Sequence, residues 1–307
     1  MAFPTGSEDS TSLASFIPSL WGDKLNDFFK LKLMLADFFV DRSQELADGG
    51  SILYTPNLTE MTANAKSNAT AVTLNNTTET KITLTVDQWY EVSFAIEDKE
   101  AAQMKHSYYL QEKYAMNAGY TIAKKLEVAL AALFSGFSGT AGSSSTNVAD
   151  SDIRSAISQL ESNGVDTTSD VAFFFHPAVF WKQIQAIDKF SLAVNSPVND
   201  PTAKRPAGML YGIPVYISNN IQYVSGSTGR WNALAHKDAL HFATSPLGQG
   251  GSMAKTDAGG TTMTGQYGVR VQSHYIPDYL STLTTADLLY GTIENRDNAG
   301  VGILSPV

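Results

Sequence analysis

The sequence predicts an α+β protein arranged around one very long helix. Three observations carry this expectation. First, Val92-Ser93-Phe94-Ala95-Ile96 alternates apolar with small or polar residues, the period of a half-buried strand. Second, the period changes at Glu97-Asp98-Lys99-Glu100, and from Ala101 to Phe134 there is no proline and a single glycine, Gly119. Third, the chain beyond Asp150 mixes short helices and strands in the manner of a compact α+β unit.

The long helix is expected over 97–135. Asp98 is a suitable N-cap, Glu100 puts negative charge in the first turn, and Gly136 stands where a terminating glycine belongs. Ala101, Met104, Tyr108, Ala115, Ile122, Leu126, Leu130 and Leu133 form one stripe at helical spacing. A helix of about 35 residues is roughly 50 Å long at 1.5 Å per residue. Such an element is a beam, and it suggests architecture more than chemistry.

The remaining elements follow in chain order. Residues 1–12 read as a polar, acidic arm. Ile17-Pro18-Ser19-Leu20-Trp21 opens an amphipathic stretch that continues through Leu25, Phe28, Phe29, Leu31, Leu33 and Leu35. That much apolar surface needs the core or a neighbouring subunit to cover it. Ser51 to Pro56 reads as a strand. Val72-Thr73-Leu74 and Ile82 to Val86 read as two strands of a long hairpin, with Asn75-Asn76-Thr77-Thr78 as the turn. A hairpin with so little core of its own is ordered by lying on another surface. Ser135 to Asn147 is Gly/Ser/Thr-rich and is expected to be a linker. Asp150 to Asn163 predicts a helix stopped at Gly164. Val171 to Phe175 is a buried strand, and His176-Pro177 turns it into a helix. Val194 to Gly208, with three prolines, is a loop. Leu210 to Ser218 is an interrupted strand, Trp231 to Ala235 another, and Asp238 to Ala243 leads into a loop through Pro246. Gly248 to Gly265 is a second loop. Val269 to Tyr275 is a late strand, and Leu288 to Gly291 and Gly300 to Leu304 close the chain.

Composition narrows the functions. The 307 residues carry a net charge of −9 and 43% apolar side chains, as expected of a folded soluble protein. There is no Lys/Arg cluster, which argues against a nucleic-acid-gripping face. There are no cysteines, so disulfides, thiolate zinc sites and cysteine nucleophiles are excluded, in keeping with synthesis in a reducing cytoplasm. Neither a signal peptide nor a membrane span of ~20 apolar residues is expected.

No catalytic constellation rises above background, and no cofactor or metal is expected. His236 and His241, with Asp238 between them, form the only histidine cluster, but a spacing of five does not converge two ligands on one metal. His106 is expected to be solvated, and His176 to make a local hydrogen bond at its turn. Ser138 lacks the second glycine of a nucleophile elbow, because Thr140 occupies that place. Glu97/Asp98 reads better as a helix start than as an acid/base pair.

Four strings carry a family resemblance. They are Ile17-Pro18-Ser19-Leu20-Trp21, Asp87-Gln88-Trp89-Tyr90-Glu91-Val92-Ser93-Phe94-Ala95-Ile96-Glu97-Asp98, Leu210-Tyr211-Gly212-Ile213-Pro214-Val215, and Leu289-Tyr290-Gly291. Together with the order of features, they make the chain resemble the major capsid proteins of tailed double-stranded-DNA bacteriophages, the HK-ninety-seven-like fold.

The resemblance implies an N-terminal arm over 1–45, an extended β-hairpin loop over 46–96, and a spine helix with linker over 97–148 in a peripheral domain. It further implies an axial domain over 149–262 and return strands to the peripheral domain over 263–307. A non-enzymatic structural protein is implied, assembling as hexamers and pentamers into an icosahedral shell around packaged DNA that it does not read by sequence. The implied location is the virion, with assembly in the host bacterial cytoplasm. The implied partners are further copies of itself, a separate scaffolding protein (the arm is short for a built-in one), a portal and a decoration protein, with no membrane. Trp21, Phe28, Phe29, Lys66, Trp89 and Tyr90 are the expected assembly residues, with Trp89 and Tyr90 acting as a hinge between loop and helix. Covalent cross-linking through Lys66 or Lys81 is not expected. The alternatives are an encapsulin-like nanocompartment shell, a soluble hydrolase using His236, Asp238 and His241, and a surface-binding protein using the Thr/Asn-rich hairpin.

Overall fold

A computed structural model describes residues 34–46, 50–58, 61–75, 79–103, 107–187, 208–221, 223–224, 229–245, 261–264 and 269–307. The expected loops over 194–207 and 248–260 lie outside the described residues, as do Trp21, Phe28, Phe29 and His106.

The long helix is described over α2 (Asp98–Gln103) and α3 (Ser107–Ala132), residues 104–106 lying outside the described residues, and it closes in a 3-10 turn over Leu133–Ser135. Its buried stripe is Ala118, Ile122, Leu126, Leu130 and Phe134, every fourth residue. Leu133, expected on that stripe, is only half-buried, because the stripe advances by four residues from Leu130 to Phe134 and leaves Leu133 to one side. Gly136 ends the helix in a right-handed conformation, not the left-handed one a terminal glycine usually supplies. Asp98 is the first helical residue and not the cap before it.

Among the described residues, two six-stranded sheets organise the fold, beside the two-stranded β2–β3 pair over Ile52–Leu58 and Glu79–Thr85. The first is centred on β13, Ser281–Glu294. On one side β13 pairs with β12 (Arg270–Ile276) and then β10 (Leu240–Ser245); on the other it pairs along ten residues with β4 (Gln88–Glu97). Short strands β1 (Val40–Asp41) and β11 (Thr261–Thr264) form the outer edges beside β10 and β12. The second sheet runs β5 (Gly139–Gly142), β14 (Gly300–Ser305), β9 (Arg230–His236), β6 (Val171–Phe175), β8 (Ile213–Ile217), β7 (Met209–Leu210).

The core is continuous between the sheets. Alternate residues of β6 point to opposite faces, as a strand demands. Ala172 and Phe174 join α3, Leu35, Phe39, Phe242, Leu288 and Tyr290. Phe173 and Phe175 join the helix α4 (Asp150–Ser162) and β8 on the other side. Phe174 sits at the centre, its ring 5.4 Å from Phe39 and 5.7 Å from Phe134.

Several expectations are corrected. Val72-Thr73-Leu74 is not a strand: β3 (Glu79–Thr85) pairs with β2 (Ile52–Leu58), from Ile52 opposite Thr85 to Leu58 opposite Glu79. Local alternation cannot tell which of two candidate runs closes a ladder. The expected linker contains β5, a parallel neighbour of β14. Its glycines are small for packing, since a Cβ on Gly142 would lie 2.4 Å from the Leu304 carbonyl oxygen. The end of the expected second loop is β11. The interrupted strand at Leu210 is a hairpin, β7–β8, whose turn residues Tyr211 and Gly212 both have positive φ, 51° and 84°. The sheets also cut across the expected segments. Strand β10 belongs with β12 and β13, and β14 returns to the sheet of β6, β8 and β9.

Gly119 lies within α3 with nothing within 4 Å of where a Cβ would stand. Gly119→Ala should therefore stabilise the subunit by about 0.5–1 kcal/mol. Thermal unfolding would register this as a raised Tm.

Candidate assembly surfaces

Among the described residues, the hairpin β2–β3 is the part with the least core of its own. Every residue from 61 to 75 is exposed, including Met61 at 68%, Val72 at 69% and Leu74 at 87%. Ile52 and Tyr54 on β2 are also exposed. Polar side chains shape the tip. Asn75 donates from Nδ2 to the Thr62 carbonyl at 2.6 Å, and Lys66 donates from Nζ to the carbonyls of Ser67 and Thr70. Lys66 thus holds its own turn. Lys81 lies 4.2 Å from the ring centre of Tyr54.

The base of the hairpin is different. Leu84 and Val86 are buried with Leu46 and Ala243, flanked by Leu53, Leu289 and Ile293. Arg42 reinforces this corner. Its guanidinium pairs with Glu45, donates to Thr55 Oγ1 at 3.1 Å and lies 3.5 Å from His241 Nδ1. His241 is buried, and burial together with the Arg42 charge pushes its pKa down. The neutral ring is the form that tolerates this cation.

Trp89 and Tyr90 lie inside β4, two and three residues past the Val86–Asp87 break, whereas the passage from strand to helix falls at Asp98. The Trp89 indole N–H donates to Asp287 Oδ2 at 3.2 Å, while most of its ring stays exposed. Asp287 is buried and takes two bonds from Arg270, at 2.9 and 2.6 Å. Tyr90 stacks on Tyr290 at 6.0 Å, with Lys125 5.2 Å from its ring centre. Both aromatics are therefore fastened to the β13 ladder and present their outer surfaces to solvent.

Among the described residues the histidines do not converge. His236 Nδ1 accepts the Asp238 N–H at 3.1 Å, and His241 faces Arg42. His176 Nδ1 accepts the Ala178 N–H at 3.1 Å, capping the helical turn Pro177–Val179; burial and Arg230 lower its pKa to about 4. Among the described residues no group of three His, Cys, Asp or Glu side chains could hold a metal, and no helix is long and apolar enough to cross a membrane.

One buried acid escaped the sequence reading. Glu127 is fully buried within α3, and its Oε1 accepts the N–H groups of Leu35 at 2.8 Å and Ala36 at 3.4 Å. These open the short helix α1, Leu35–Phe38, so the spine helix caps the segment that leads in from the N-terminal side. Oε2 has no hydrogen-bond partner among the described residues. Burial raises the carboxyl from 4.5 to about 7, against the opposing effect of the two N–H bonds; Asp37 adds repulsion. Tyr120 faces it too, and its phenol is raised by burial and by Glu127. The only sequence signal was an acid next to Leu126 on the buried stripe.

By sequence, the chain matches no family model and no curated protein. By structure it is similar over nearly its whole length to phage shells. A structure from Mycobacterium phage Che8 aligns with a TM-score of 0.64 at 17% identity, covering 94% of this chain and 97% of that one. The capsid structure of cyanophage P-SCSP1u aligns at 0.70 and 12% identity, covering 99% and 96%. The capsid of an empty GTA particle aligns at 0.60 and 12% identity, covering all of both chains. At these identities the likeness is one of fold: the chain has the fold of phage capsid proteins.

Glu127 is harder to ionise in the folded chain, at about 7, than at its ordinary 4.5. Its ionisation penalty is thus absent below pH ~4.5 and fully present above pH ~7, so stability falls as pH rises through that window. The span corresponds to roughly 3 kcal/mol at 1.36 kcal/mol per pH unit. Glu127→Gln keeps an acceptor for both N–H groups and cannot ionise. It should raise stability at pH 8 and flatten the slope, measured by denaturant unfolding at several pH values. A weaker slope of the same sign should remain from Glu294, which burial and then Asp297 raise to about 7.

Proposed function

We propose that this protein is a structural shell subunit that assembles with copies of itself, as hexamers and pentamers, into an icosahedral capsid. The observation that carries the reading is the whole-chain likeness to phage and GTA capsid subunits. The exposed hairpin supports it independently. Fifteen consecutive residues without a core suit a segment that buries its apolar side chains only on a neighbour. The outward surfaces of Trp89 and Tyr90 and the tip around Lys66 belong to the same contact. The shell encloses double-stranded DNA, and the net charge of −9 suits a wall that does not grip its contents. A scaffolding protein, a portal and a decoration protein are the partners this reading brings, and the virion is its location. No chemistry at His236, Asp238 and His241 is part of it.

Expression of the chain alone and with its neighbouring genes, followed by sedimentation and negative-stain imaging, tests the reading. Closed shells, or discrete hexamers and pentamers, are expected. A monomer or dimer under every condition would overturn it. Replacing residues 61–75 with a short Gly/Ser turn should leave circular dichroism and Tm nearly unchanged yet abolish closed particles. Normal particles from that variant would remove the hairpin from the contact.

A further inference from the structure

We propose that Gly291 is the seat that fixes the direction in which the β2–β3 hairpin leaves the subunit, before any neighbour is met. Residues 289, 291 and 293 share one face of β13. Leu289 and Ile293 pack against the hairpin base, and Gly291 lies between them. A Cβ built there would stand 2.1 Å from the Thr85 carbonyl oxygen, 2.8 Å from the Thr85 carbonyl carbon and 3.0 Å from Val86 Cα. The obstacle is backbone, not the end of a side chain that could swing away. The chain leaving β3 therefore crosses β13 in contact with a notch that only glycine leaves open.

The crossing is secured on all sides. Directly after it, Gln88 enters the ladder opposite Tyr290. The Val86 N–H donates to the Ser51 carbonyl at 2.8 Å, tying both hairpin legs together at the same level. Across β13, the partner of Gly291 on β10 is Ala243, another small residue, itself buried in the cluster with Leu84 and Val86. The seat is thus built from three elements, β3, β10 and β13. Gly291 is a positioning residue: it acts through the angle of the hairpin.

The assembly part of this inference rests on the shell reading above; the part concerning the isolated chain does not. Amide hydrogen exchange on the unassembled wild-type chain should find Leu84 and Val86 protected on the order of 100-fold or more relative to residues 61–75. Gly291→Ala should cut that protection at least about tenfold and give few closed shells, or shells of aberrant size. Gly119→Ala, the same added methyl in open space, should change neither readout. If Gly291→Ala proves insoluble, Leu84→Ala thins the same seat without adding an atom, and should lower base protection and shell yield together. Base amides exchanging as fast as the tip in the wild type would overturn the inference. So would wild-type protection and normal shells in Gly291→Ala. Failure of the wild type to form any shell would count against the shell reading, while the exchange comparison would still decide the role of Gly291.

Discussion

The packing of α3 along β13 is the constraint from which the rest of the subunit follows. The helix supplies a stripe at every fourth residue, and the fourteen-residue strand supplies Ala286, Leu288 and Tyr290 against it. Each is too long to bury its apolar face within a short local motif. Their mutual burial fixes a straight seam, and everything else attaches to that seam. Strand β4 pairs with one edge of β13, while β12 and β10 divide the other between them. The second sheet closes the far side of the core through Ala172 and Phe174. Burial of aliphatic and aromatic side chains supplies most of the driving force here, and the polar groups within the core are few and mostly paired.

Those polar groups mark joints between segments distant in sequence. Asn232 is fully buried; its amide accepts the His176 N–H at 3.0 Å and donates to Ser305 Oγ at 2.9 Å, joining β6, β9 and β14. Asp287 joins β12 to β4 through Arg270 and Trp89. Glu127 joins the spine helix to α1. The three differ in cost. Asn232 is neutral, and Asp287 has a cation at hydrogen-bonding distance. Glu127 has only peptide dipoles, so desolvation outweighs its hydrogen bonds and the carboxyl holds its proton toward neutrality.

The parts legible in the sequence were those whose signal is local and periodic. The long helix, the fully buried Val171–Phe175, and the helix stopped at Gly164 each announce themselves within a dozen residues. The parts that were not legible depend on partners far along the chain. Ile82–Val86 could pair with either of two alternating runs, and only the tertiary ladder selects Ile52–Leu58. Gly139 to Gly142 reads as linker because a parallel strand wedged against Leu304 needs small residues, the same composition as a loop. Strand β13 was read only at Leu288–Gly291, since Ser281 to Thr285 is too polar to register as apolar alternation, although β-branched threonine favours a strand. At the candidate assembly surface, the exposed hairpin was readable from its composition. Glu127 was hidden among apolar neighbours, and Gly291 gave only the weak signal of a glycine inside a strand.

Why a subunit would fix the base of its hairpin while leaving the tip without a core follows from the cost of association. Ordering one residue costs roughly 1–2 kcal/mol of backbone entropy. A hairpin free to swing at its base would incur that cost over its whole length, and lose its orientational freedom besides, when it met a neighbour. With Leu84, Val86 and the Gly291 crossing already ordered, only the tip has to be organised on contact, and its polar turns at Asn75 and Lys66 narrow its freedom further. On the shell reading, the exposed Met61, Val72 and Leu74 then contribute burial in proportion to the area a neighbour covers. A rigid root and an unsatisfied tip are in this way one device. On the shell reading proposed above, the root makes the direction of the contact a property of the subunit, and the tip makes its free energy a property of the assembly.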